Sequence, residues 1–296
     1  MKLYLTLFIA LFALPLMLSA QEPTDTTAVV TKDTIAVVKE DTIAPPAKAE
    51  FERAAFLSTA LIDNQTDRVF SKGTMEMILN HRFGLVNGTN DMIGIWAPSN
   101  IRIALTYAVI DRITVGFGTT KDGRLLDFSL KGAIFKQTKN DRMPVNITYY
   151  GNFTTDARPK ANFYHTSDRW SFFNQLIISR YISKAVSFQI APSYSHYNRV
   201  ARTMKNDMAA IAVGGKVTIF PDIAILVESS TPILKFEKDT PKPGFGVGLE
   251  YGTVGHAFQL FISNTKGIIN QQNYMYNQND FFNGEFVIGF NITRSW

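Results

Sequence analysis

The stretch FVIGFNITRSW, residues 286–296, alternates strictly. Phe286, Ile288, Phe290 and Ile292 are large and apolar, and Arg294 and Trp296 follow in the same row. Between them Val287, Gly289, Asn291, Thr293 and Ser295 are mostly small or polar. A period of two belongs to a β-strand, whose successive side chains point to opposite faces. Most soluble domains trail off in polar, frayed residues instead. A strand of this kind fits the seam of a closed barrel, where edges vanish only if the last strand pairs with the first.

Working backward, the same period recurs. TMEMILNHRF puts Met75, Met77, Leu79, His81 and Phe83 on one face, and NIRIALTYAV alternates Ile101, Ile103, Leu105 and Tyr107 against Arg102, Ala104 and Thr106. RITVGFG, LLDFSLKGAIF, VNITYYGNF, RWSFFNQLIIS, VSFQIAPSYS, AAIAVGGKVTIF, DIAILVES, FGVGLEYG and HAFQLFIS continue the series. Each has the length of a tilted strand crossing a bilayer. Short connections at Asp111, 137–142, Ser183-Lys184, Pro221-Asp222 and 253–255 alternate with longer ones at 85–99, 119–124, 154–169, 197–206, 235–243 and 264–283. That alternation predicts a transmembrane antiparallel β-barrel of about twelve strands, with tight periplasmic turns, long external loops and both termini periplasmic. Ten or fourteen strands also accommodate the pattern.

A soluble sandwich shows the same period with its apolar face inward. Here the polar rows carry charge, which suits a water-facing lumen. Glu76, Arg82, Arg102, Asp127 and Lys131 are the candidate lumen ions of the first half; Lys216, Glu228, Glu250 and Glu285 are those of the second. Arg82 is expected to pair with Glu76 or Glu285. Tyr107, Tyr149, Tyr150, Trp170, Tyr181, Tyr194, Tyr251 and Trp296 cluster toward strand ends, where interfacial girdles form.

The start of the chain reads differently. Met1-Lys2, an apolar run to Leu18 and the small residues Ser19-Ala20 have the layout of a signal peptide cleaved near Ala20. Residues 21–50 repeat DTTAVVTK, DTIAVVKE and DTIAPPAK at a spacing of eight, without aromatics, and carry −3 in charge. Such a segment lacks the apolar surface to offset ordering entropy and reads as a periplasmic tether, available to a periplasmic partner. Residues 51–72 balance in charge and fit a short helix, a strand or a plug segment. With +1 on Lys2, the barrel region 73–296 is left with +7 of the total +5. That balance suits anionic lipid surroundings, and nucleic acid is not expected in this compartment. The chain contains no cysteine, which excludes disulfide stapling and a lipidated N-terminal cysteine.

LIDNQTDRVFSKGTMEMILNHRFGLVNG followed by NIRIALTYAVIDRITVGFG resembles an uncharacterised outer-membrane β-barrel family of Bacteroidota. His81-Arg82-Phe83-Gly84, Leu105, Tyr107, Asp111-Arg112, Val115-Gly116 and Gly118 carry the likeness. It implies fold and location and no activity. FVIGFNITRSW in turn resembles the C-terminal signal by which the barrel-insertion machinery recognises outer-membrane proteins, with Arg294 where an apolar residue is commoner.

Catalytic and ligand motifs are thin. The histidines at 81, 165, 196 and 256 lack metal-ligand spacing. Gly214-Gly215-Lys216 lies mid-strand without the glycine spacing or Ser/Thr of a phosphate loop. No metal or cofactor is expected. A lipid hydrolase would need a Ser–His pair, but Ser195 and His196 are strand neighbours and point apart. In the loop 270–283, Tyr274, Tyr276, Phe281 and Phe282 are candidate ligand contacts, able to stack on sugars or fold into the pore. Arg158, Lys160, Arg199, Arg202 and Lys205 suit lipid phosphates. The sequence thus predicts a non-enzymatic barrel, either a narrow pore for small solutes or a structural and assembly partner acting through its tether, with a lipid hydrolase as a remoter alternative.

Overall fold

A computed structural model describes residues 50–86 and 91–296. The expected signal peptide and all of the tether except Glu50 lie outside the described residues. Twelve antiparallel strands form a closed barrel. In chain order they are β1 (Met75–Leu85), β2 (Asn100–Ile110), β3 (Ile113–Thr120), β4 (Leu125–Phe135), β5 (Asn146–Asp156) and β6 (Trp170–Tyr181). The second half comprises β7 (Val186–Tyr197), β8 (Asp207–Phe220), β9 (Ile223–Pro232), β10 (Gly244–Thr253), β11 (His256–Ser263) and β12 (Val287–Ser295). Every strand pairs with its sequence neighbours, and β12 closes on β1 with Asn291 opposite Asn80 and Gly289 opposite Arg82. Apart from the long connection 136–145, short turns gather at the end where Met75 and Trp296 exchange backbone hydrogen bonds; apart from the short 121–124, longer loops gather at the other.

The two faces of the wall differ as the alternation predicts. Ile103, Leu105, Phe117, Phe128, Phe188 and Val213 are exposed on the outside. Asn80, Arg82, Asp127, Gln175, Glu228 and Asn291 are buried on the inside. Acyl chains cover the first set at no cost, while backbone groups are satisfied within the closed ladder. Tyr150 is a correction to the expected girdle. Its neighbours in β5, Thr148 and Asn152, are buried in the lumen row, and it faces Phe173 edge-on at 6.2 Å between centroids. Adjacent residues of one strand cannot both meet lipid, so only Tyr149 of that pair stays on the outer face.

Residues 51–72 form neither the helix nor the strand that their composition permits. The segment enters at the short-turn end, where Glu52 N–H donates to Gln137 O (2.8 Å). It turns at Leu61–Asn64, where Leu61 N–H meets Asn64 O (2.8 Å), and returns to the same end, where Lys72 N–H meets Asp111 Oδ1 (2.8 Å). Its backbone pairs partly with itself, Thr66 N–H donating to Thr59 O (3.0 Å) beside an Ala60–Gln65 bridge, and partly with the barrel wall. From the long-loop end, a short helix α1 (Asn270–Tyr276) folds inward, burying Tyr274 and Met275 against Phe173, Ile177 and Met208. Segment and helix together fill the barrel.

Candidate functional site

The lumen carries the polar chemistry of the molecule. Around one side of the wall runs a chain of hydrogen bonds that needs nothing but the wall. Gln259 Nε2 donates to Glu250 Oε2 (3.0 Å), Asn291 Nδ2 to Gln259 Oε1 (2.7 Å) and Asn80 Nδ2 to Asn291 Oδ1 (2.9 Å). The chain continues from Arg102 to Asn80 (3.3 Å) and, through two donors, from Arg102 to Asp127 (2.9 and 2.6 Å). These residues sit in register across β10, β11, β12, β1 and β2, so pairing alone aligns them. The Arg102–Asp127 pair bridges β3 above Gly118, where a methyl group would lie 2.7 Å from Asp127 Oδ1 and 2.8 Å from Arg102 Nη2. Glycine is what lets the ion pair form there.

The remaining lumen charges turn toward the inserted segment. Arg82, 1% exposed, donates to Asp63 Oδ1 (2.8 Å), to Ile62 O (3.1 Å) and to Asn291 Oδ1 (2.9 Å). Its guanidinium also lies 4.3 Å from the Phe261 ring centre. Glu228 accepts the backbone N–H groups of Ile62, Asp63 and Asn64 (3.3, 2.8 and 3.2 Å). Ser58 donates to Glu250 (2.5 Å), Thr59 to Glu76 (3.0 Å), and Lys131 Nζ donates to Thr59 O (2.7 Å). Lys216 occupies the inward row between Ser187 and Leu226 and is half-buried. Within the segment, burial raises the Asp67 carboxyl above its ordinary range although one oxygen accepts Ala55 N–H (2.9 Å).

Two expectations are corrected. Glu285 is not a lumen residue: it precedes β12, has a side chain 44% exposed, and accepts Asp280 N–H (2.6 Å) with Lys242 3.9 Å away. Gly284, at φ +82°, turns the chain there and interrupts the alternation that had placed Glu285 inside. Arg82 therefore pairs with neither Glu285 nor Glu76 but with Asp63. The loop aromatics also separate. Tyr274, 2% exposed, stacks on Phe173 at 5.5 Å and donates to Asn64 Oδ1 (2.5 Å), and burial pushes its phenol well up. Tyr276 meets Tyr197 edge-on, Phe281 packs on Phe245, and Phe282 is 84% exposed.

The tip of the segment and α1 also touch each other. Asn270 Nδ2 donates to Asp63 O (2.9 Å), and Thr265 donates to Asp63 Oδ2. The space left on the wall beside Arg82, Arg102, Asp127 and Asn291 is about 40 Å³. That is room for a few waters. Among the described residues no group of three or more His, Cys, Asp or Glu could hold a metal ion. Ser195 is buried in the lumen while His196 sits on the other face beside Asp207 (2.6 Å), so the two do not form a nucleophile–base pair.

No curated protein matches the chain. Among solved structures, an outer membrane channel from Pseudomonas putida F1 is similar at a TM-score of 0.48 and 9% identity, covering 78% of this chain and 97% of that one. A mutant of Rh. blastica porin is similar at a TM-score of 0.34 and 13% identity, covering 67% and 55%. Residues 56–296, the whole barrel and all but the first five residues of the inserted segment, match the membrane bound beta barrel domain DUF5777. The chain belongs to that family of membrane-bound β-barrels.

Proposed function

We propose that the chain is an outer-membrane pore for small hydrophilic solutes, closed at rest by residues 51–72. What supports this reading is the wall itself: the chain of hydrogen bonds from Glu250 to Asp127 closes without the inserted segment. A wall that only packed a permanent core would gain more from apolar side chains than from buried ions. A wall that water reaches when the segment leaves needs charges and amides. Both ends of the segment lie at the short-turn end, so it can withdraw without threading past the loops. In this reading the short-turn end is periplasmic, the exported chain reaches the membrane through its C-terminal strand and the insertion machinery, and residues 21–50 supply the handle. Proteoliposome swelling tests it. The full chain is expected to exclude sugars of graded size, and a variant lacking 51–72 to admit the smaller ones. Equal exclusion by both forms would remove the pore.

The closed lumen also favours a second reading, a structural partner that needs no passage and acts through residues 21–50. Capture of a periplasmic protein that is lost on deleting 21–50, with no swelling in any variant, would establish it.

A further inference from the structure

The inserted segment is bound the way a peptide ligand is bound. Its backbone carbonyls are read by side-chain donors: Gln259 Nε2 to Ala60 O (3.0 Å), Asn291 Nδ2 to Ile62 O (2.9 Å) and Lys131 Nζ to Thr59 O (2.7 Å). Its backbone N–H groups at 62, 63 and 64 converge on the one carboxylate of Glu228. Its Asp63 carboxylate meets the buried guanidinium of Arg82, whose Nε has no hydrogen-bond partner among the described residues. A second donor is therefore free for the two-pronged grip that guanidinium makes on a carboxylate.

Its apolar side chains have notches cut for them. A methyl group at Gly214 would overlap Leu61 Cδ1, one at Gly252 would overlap Leu57 Cδ2, and one at Gly246 would stand 3.0 Å from Ile62 Cδ1. All three glycines face inward from β8 and β10, where a side chain would otherwise fill the lumen. Backbone donors, backbone acceptors, a carboxylate and apolar side chains are thus each matched by a separate element of the wall. A sugar could donate its hydroxyls to Glu228 and use the amide contacts, but it would leave the three apolar notches idle. A simple ion would use the charges alone.

We propose that the wall holding residues 57–64 is a binding site for short, turn-forming peptides that carry apolar side chains ahead of a carboxylate. The protein's own LSTALIDN occupies it as a tethered competitor. The inference rests on the segment being releasable, and it names the solute class of the proposed pore. A tethered occupant competes at an effective concentration in the millimolar range, so a free peptide gains access only when the tethered one is weakened.

The test uses the full chain carrying Asp63→Asn, which removes the ionic grip and leaves the barrel wall intact. Fluorescently labelled LSTALIDN is titrated by anisotropy against this variant and against the unchanged chain, and planar-bilayer current is read on the same samples. Saturable binding to the variant is expected, at least tenfold weaker for the unchanged chain and about tenfold weaker for a peptide ending Ile-Asn-Asn. If current rises in the variant while the peptide neither binds nor blocks it, the peptide site is wrong and the pore survives. Displacement of the labelled peptide by maltotriose as readily as by unlabelled peptide would also overturn it. If current stays silent but the peptide binds, the site stands and the gate falls. If neither occurs, both fall.

Discussion

The lumen has two halves that hold their occupants by different physics. On the β6–β8 side, Phe173, Ile177, Ala191, Met208, Ala210 and Ala212 receive Tyr274 and Met275 of α1 in a core-like cluster. On the side running from β9 through β12 to β4, Glu228, Glu250, Arg82, Glu76 and Lys131 hold residues 58–64 through hydrogen bonds and one ion pair. Water cannot replace apolar contact, so exposing the α1 face costs the full transfer free energy, about 25 cal/mol per Å². Water can replace hydrogen bonds, each worth about 0.5–1.5 kcal/mol net. In the proposed reading, the difference makes α1 a fixture and the inserted segment a closure that can be exchanged for solvent or solute. Ala55, Phe56, Leu61 and Ile62 of the segment are buried against Leu226 and Phe261 and add an apolar hold to the polar one.

Substitutions on the two sides should therefore differ in kind. The largest effect is expected for Arg82→Met, which leaves Asp63 buried without its cation at a cost of about 3–5 kcal/mol. The segment should be released, and bilayer current should appear while the barrel still resists heating in sodium dodecyl sulfate. Met275→Ala, deleting a fully buried side chain, should cost about 2–5 kcal/mol and act on the other half. Its signature is an earlier heat-unfolding midpoint with no current; current without loss of stability would erase the distinction. Gly214→Val should overpack against Leu61 by about 1–3 kcal/mol, giving intermittent current, since the notch is lost but the ion pair remains. Tyr274→Phe removes the phenol's hydrogen bond to Asn64 and should cost about 0.5–1.5 kcal/mol, seen as a small rise in proteolytic cleavage near residue 64.

The fold was legible because a period of two repeated across twelve strands leaves few alternatives, and because turns and loops differ in length end to end. The row of Glu76, Arg82, Arg102 and Asp127 could be read by parity alone, since parity fixes the face. Parity failed at Glu285, where it was extended past the start of β12 and the turn at Gly284 had already broken it. Pairing within the lumen was not legible. Arg82 meets Asp63 through a segment without periodicity, and nothing in a strand pattern reports what occupies the inside. A signal did exist in Asp63-Asn64, turn-forming residues set between the apolar Leu61-Ile62 and a polar run. Three inward glycines at 214, 246 and 252 gave the complementary hint of an occupant needing room. The helix α1 was hidden in an amide-rich loop whose apolar residues are too few for a helical period to stand out.

Everything turns on whether residues 51–72 are what shuts the lumen. Planar-bilayer recording of the full chain beside a chain lacking 51–72, both confirmed as folded barrels by heat-dependent gel migration, decides it. Silence is expected from the first and discrete, long-lived current steps from the second. A folded, heat-shifting barrel that stays silent after losing the segment would contradict it.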